Sequence, residues 1–147
     1  MSPAVYPPNV LPADFRGHYP HMARRDTEVW TRFLAAPPAA FLGYAYDVAV
    51  GGWKLEGLEM SEADALGWQY NTALKIDVCA LTAADVWVIE VRPEATVSAL
   101  GAALTYALVL DREQVFERPL RPVVCCEQMQ PDVEWACTKL GVRVVKV

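Results

Sequence analysis

Apolar positions recur along this chain with two periods. Val29, Trp30, Phe33 and Leu34 follow the three-and-four spacing of one helix face, which predicts a helix over residues 27–36. Asp26 or Thr27 supplies an oxygen for the orphan N–H groups at its start, and Pro37-Pro38 stop it. Residues 41–50 read as a strand with Tyr44, Tyr46, Val48 and Val50 on one side, ended by the Gly51-Gly52 turn. Ser61, three residues before Asp64, caps a short helix reaching Gly67 or Trp68. Residues 73–81 and 86–91 form a hairpin around Thr82-Ala83-Ala84-Asp85, and its second strand is apolar enough for the middle of a sheet. Pro93 and Glu94 open a long core helix that runs to residue 110, followed by a polar loop over 111–120. A strand over 122–126, a helix over 131–140 with Pro131 in its first turn and Gly141 as its stop, and a strand over 142–147 close the chain.

Helices between strands imply crossover connections. The expected fold is therefore α/β, a single domain with a mixed central sheet flanked by helices. The first 20 residues follow neither period. Pro3, Pro7, Pro8, Pro12 and Pro20 forbid a continuous helix, while Tyr6, Val10, Leu11, Phe15 and Tyr19 are too apolar for a solvated linker. Residues 1–20 are thus expected to be an extended Pro-rich arm that packs on its own domain or on a partner. Residues 21–147 form the α/β domain.

Composition narrows the possibilities. The chain has 147 residues, 54% of them hydrophobic and 21% charged, which excludes intrinsic disorder and suits one domain. Its net charge is −5, evenly spread, so bulk charge does not attract nucleic acid, although a local basic cleft is compatible with it. Cys79, Cys125, Cys126 and Cys137 contain no C-x-x-C pair, and free buried thiols in a reducing compartment are expected. The start lacks the basic and apolar regions of a signal peptide, and the apolar stretch 95–110 is shorter than the about 20 residues a membrane span needs. The expected location is cytoplasmic, with no membrane partner.

Three residues in the hairpin carry candidate chemistry. Asp77 interrupts the strand Leu74-Lys75-Ile76-Asp77-Val78. Glu90 and Arg92 end the next one and share a face because side chains alternate along a strand. Two carboxylates converging there can hold a divalent cation, and the neighbouring guanidinium a phosphate. An ion pair of these carboxylates with Arg92 or Lys75 at a sheet edge is the competing structural reading.

Asp77, twelve residues, then Glu90-Val91-Arg92 resembles the signature of the PD-(D/E)XK, or restriction-endonuclease-like, superfamily. The helix Ser98-Ala99-Leu100-Gly101-Ala102-Ala103-Leu104-Thr105-Tyr106 is similar to the one that follows that motif, where a Gly-Gln-Leu…Tyr pattern is common. The closing strand, helix and strand match as well, so the resemblance spans residues 27–147. It implies a nuclease-like fold in which Asp77 and Glu90, with the Val91 carbonyl, bind magnesium and Arg92 takes the lysine position. Glu28 is an additional acid candidate.

Two departures weaken an active site. Arginine stays charged and manages protons poorly where the family has lysine. Ala102 offers no hydrogen bond where glutamine is common. The leading expectation is therefore a catalytically weak or inactive nuclease-fold protein acting as a binding or assembly module, such as a phage virion head–tail component. It would use no cofactor and would meet protein partners through the arm. The alternative is an active magnesium-dependent DNA nuclease, a phosphodiesterase that contacts nucleic acid at this site.

Other residues have plainer readings. Tyr106 suits a core position. His18 and His21 have no ligand cluster around them and suit the surface. Arg112, Arg118 and Arg121 are offset by Glu113 and Glu117 in a solvated loop. Trp30, Trp87 and Trp135 suit core or interface anchors, and Trp53 and Trp68 could mark a partner surface.

Overall fold

The computed structural model describes residues 7–55, 57 and 59–147. Pro3 and Tyr6 of the arm lie outside them. In chain order the elements are β1 (Val10–Pro12), α1 (Arg24–Ala35), β2 (Gly43–Val50), α2 (Glu62–Thr72), β3 (Leu74–Leu81), β4 (Val86–Ala95), α3 (Val97–Glu113), β5 (Leu120–Met129), α4 (Pro131–Lys139) and β6 (Arg143–Lys146). The strands make one mixed sheet in the order β1-β2-β3-β4-β5-β6. Neighbours from β1 to β4 are antiparallel, and β4, β5 and β6 run parallel because α3 and α4 carry the chain back across one face. The α/β class and single domain are as expected.

Each face buries its own apolar set. Val29, Trp30, Phe33 and Leu34 of α1 pack on Tyr44, Val78, Trp87, Ile89 and Val91. Ala107 and Leu110 of α3 pack on Val48, Val50, Ile76 and Val88 on the other face. Cys125 joins the α1 side and Cys126 the α3–α4 side, as strand alternation requires. All four cysteines are free and buried, and burial pushes the Cys125 and Cys126 thiols up to about 12 and about 11, so neither is a nucleophile at neutral pH.

Four expectations are corrected. The strand 41–50 does not keep Tyr44, Tyr46, Val48 and Val50 on one side. Asp47 takes a left-handed backbone (φ 51°), which breaks the alternation, so the tyrosines face α1 while the valines face α3. The first helix starts three residues early, with Ala23 as its cap; Asp26 sits in the first turn and accepts the Ala23 N–H at 3.3 Å. Pro93 and Glu94 belong to β4 rather than to the following helix. The ladder to β5 skips Pro93 and resumes at Glu94 and Ala95, and Thr96 caps α3 by accepting the Ser98 N–H. The loop over 111–120 is shorter than expected, because α3 continues to Glu113 and β5 begins at Leu120.

The described part of the arm packs on its own domain. Val10–Pro12 pair with β2 as an edge strand, and Tyr19 is buried against α1 and the sheet. Three residues ending in proline make a poor template for further strand pairing. At the far side of β2, Gly51 and Gly52 both have positive φ, and a Cβ on Gly52 would lie 2.2 Å from the Gln69 carbonyl oxygen, so that position needs glycine. Gln69 is buried there and donates to the Gly51 carbonyl at 3.1 Å.

α2 is otherwise thinly packed, and its stability leans on its cap. Ser61 Oγ accepts the Asp64 N–H at 3.1 Å. Ser61→Ala is expected to cost about 1 kcal/mol and to raise amide exchange over residues 62–66 before any change elsewhere. Uniform exchange across the helix in the variant would count against a local cap role. Among the described residues, no helix is long and apolar enough to cross a membrane.

Candidate functional site

The site forms where two strands part. The β3–β4 ladder runs from Leu81↔Val86 to Val78↔Ile89 and stops there. One residue further, Asp77 turns its carboxylate onto β4 and accepts the Val91 N–H through Oδ2 at 2.9 Å. An acidic side chain thus takes over a donor that the ladder leaves free. Glu90 and Arg92 flank Val91 on β4 and share one face, while Val91 itself points into the α1-side core.

The structure brings together all the residues singled out from the motif. It also fills the space between them. The Arg92 guanidinium pairs with Glu90 Oε1 through Nη2, while its Nη1 donates to the Val91 carbonyl at 2.8 Å and lies 3.4 Å from Asp77 Oδ2. Those three oxygens belong to the groups the resemblance implies as metal ligands. As arranged they do not fit a divalent cation, because the guanidinium already sits on all of them. Among the described residues, no group of three or more histidine, cysteine and acidic side chains is placed to hold a metal ion.

Burial sets the charges. Glu90 is 2% exposed, Asp77 18% and Arg92 39%. Burial, then the nearby Asp77 charge, pushes the Glu90 carboxyl up to about 8, and the Arg92 charge opposes the rise only in part. Asp77 is also raised, first by burial, with the Val91 N–H, Arg92 and His21 pulling it back down. Glu90 Oε2 is buried without a hydrogen-bond partner among the described residues. Two carboxylates and one guanidinium therefore share a pocket in which a second negative charge is poorly compensated. The pair therefore holds a proton more tightly than either carboxylate would alone.

Three neighbours complete the surroundings. Tyr106 of α3 packs partly buried beside the α3-side core, and the Glu90 and Asp77 charges add to the rise of its hydroxyl, after burial. Glu28, the acid expected from the first helix, instead pairs with Arg24 on the exposed side at 3.4 Å. The α1 acid whose charge reaches both Asp77 and Glu90 is Asp26. Residues two apart on a helix face different directions, so choosing between them needed the helix phase. His21 was expected at the surface. It is half-buried, its Nε2 has no hydrogen-bond partner among the described residues, and it helps to lower the Asp77 carboxyl. The sequence signal for it is only its place near the start of α1. His18 is exposed. Arg121 is not simply solvated, because its Nε donates to Asp85 at 3.2 Å. No family model, no curated protein and no solved structure matches this chain.

Proposed function

We propose that this protein is a nuclease-fold domain without catalysis, acting as a binding or assembly module of the kind phage virions use at head–tail joints. The observation that carries this reading is the Arg92 guanidinium seated on Asp77, Glu90 and the Val91 carbonyl. A catalytic cation site needs those oxygens free, and a guanidinium cannot lose its proton to activate water. The order α1-β2-β3-β4-α3-β5, with Asp77 on β3 and Glu90 on β4, supports the nuclease-like part of the reading. Large apolar side chains left in solvent support the binding part: Trp53 is 71% exposed and Trp135 65%.

A plasmid-nicking assay with magnesium or manganese tests it. Wild type and Glu90→Ala are both expected to match the metal-only blank. Metal-dependent nicking by the wild type that Glu90→Ala abolishes overturns the proposal in favour of an active nuclease. A gain of nicking in Arg92→Lys would support the nuclease-like geometry. Light scattering complements this: assembly beyond the 16.3 kDa monomer, alone or with a partner, is the expected behaviour.

A further inference from the structure

A second polar cleft lies on the other face of β4. Asp85, Trp87, Arg121, Pro122, Gly141 and Arg143 line a cavity of about 300 Å³. Trp87 pairs directly with Arg121 across β4–β5, and Arg143 pairs with Val123 across β5–β6. Arg121 and Val123 are two residues apart, so Trp87, Arg121 and Arg143 all stand on the α1 face, opposite Glu90 and Arg92. The left-handed Gly141 (φ 73°) turns the chain from α4 into β6 and delivers Arg143 to this position.

The two arginines have donors to spare. Arg143 lies over the Trp87 ring, 4.5 Å from its centroid, and has no carboxylate or carbonyl partner among the described residues. Among the described residues Arg121 uses only Nε, on Asp85, which the Thr82 hydroxyl also holds at 2.5 Å. Asp85 is thereby committed, and the cleft carries one uncompensated positive charge. The free guanidinium N–H groups outnumber what the two oxygens of a carboxylate accept. They match the three terminal oxygens of a phosphate better. Trp87 and Pro122 add apolar wall, and the volume admits a phosphate with a small organic group.

We propose that this cleft binds a small phosphate monoester, with Arg121 and Arg143 gripping its oxygens. The site is independent of the Asp77–Glu90–Arg92 cluster. The test is an NMR titration of the full ¹⁵N-labelled chain, following arginine Nε–H and indole N–H signals. Inorganic phosphate and phenyl phosphate are added separately, with acetate at matched ionic strength as reference. Both phosphates should give saturable shifts at Arg121, Arg143 and Trp87, with acetate at least about tenfold weaker. Arg121→Gln and Arg143→Lys should each weaken phosphate binding about tenfold, because each removes one fork. Arg25→Gln, which alters a surface arginine paired with Glu94, should leave it unchanged. Shifts that merely track ionic strength, or equal binding by the Arg121→Gln variant, overturn the site. Binding of inorganic phosphate without phenyl phosphate overturns the monoester assignment and leaves an adventitious ion only.

Discussion

Arg92→Ala is expected to cost on the order of 2 kcal/mol of folding stability at pH 9, and under about 1 kcal/mol at pH 5. The difference comes from what the guanidinium leaves behind. Glu90 is 2% exposed and has one oxygen without a partner among the described residues, so removing Arg92 strands a buried carboxylate. At pH 5 that carboxyl is already protonated and only hydrogen bonds are lost. At pH 9 the charge must be carried unpaired or neutralised by taking up a proton, which caps the cost. Urea unfolding at the two pH values measures the effect. A loss of equal size at both would mean that Arg92 acts through packing of its stem instead. Adding Glu90→Gln to Arg92→Ala should recover most of the pH 9 loss, because no buried charge then remains to be stranded.

Glu90→Gln alone is expected to make the protein more stable above pH 8. The folded carboxyl sits at about 8 against an ordinary value of 4.5, so between those values the folded chain holds a proton that the unfolded chain has released. Stability therefore falls as pH rises through that window, and the raised Asp77 adds a slope of the same sign. The shift corresponds to about 5 kcal/mol at its upper limit. The glutamine amide is itself a buried polar group with incomplete partners, which offsets part of the gain. The net expectation is about 2 kcal/mol in favour of the variant at pH 9 and little difference at pH 4. Thermal melts from pH 4 to pH 9 should show the wild-type midpoint declining above pH 5 and the variant declining less, by the Asp77 share alone. Parallel wild-type and variant curves would mean that Glu90 ionises normally, against the burial argument.

How much of this was legible beforehand differs by feature. The helix face Val29, Trp30, Phe33 and Leu34 was readable because helical periodicity is a local property of the backbone. The shared face of Glu90 and Arg92 followed from strand alternation in the same way. The Tyr44–Val50 alternation failed because a single left-handed residue, Asp47, shifts the phase, and nothing in the residue type demands that conformation. Pro93 read as a helix opener because it suits a first helical turn. Its place in β4 depended on a parallel partner strand more than 25 residues away.

Local chemistry in the sequence determined the alternation of helices and strands, the buried thiols, and the presence of two acids and one arginine around the β3–β4 hairpin. It could not determine where the arginine's fork comes to rest. That depends on β3 leaving β4 after Val78↔Ile89, which frees the Val91 backbone for Asp77 and draws three oxygens around one cation. The tertiary structure decided in the same way between Asp26 and Glu28, and set Arg121 and Arg143 beside Trp87 from three different strands. Periodicity acts over a few residues and is written in the chain, whereas convergence of charges from separate strands is set by register and burial.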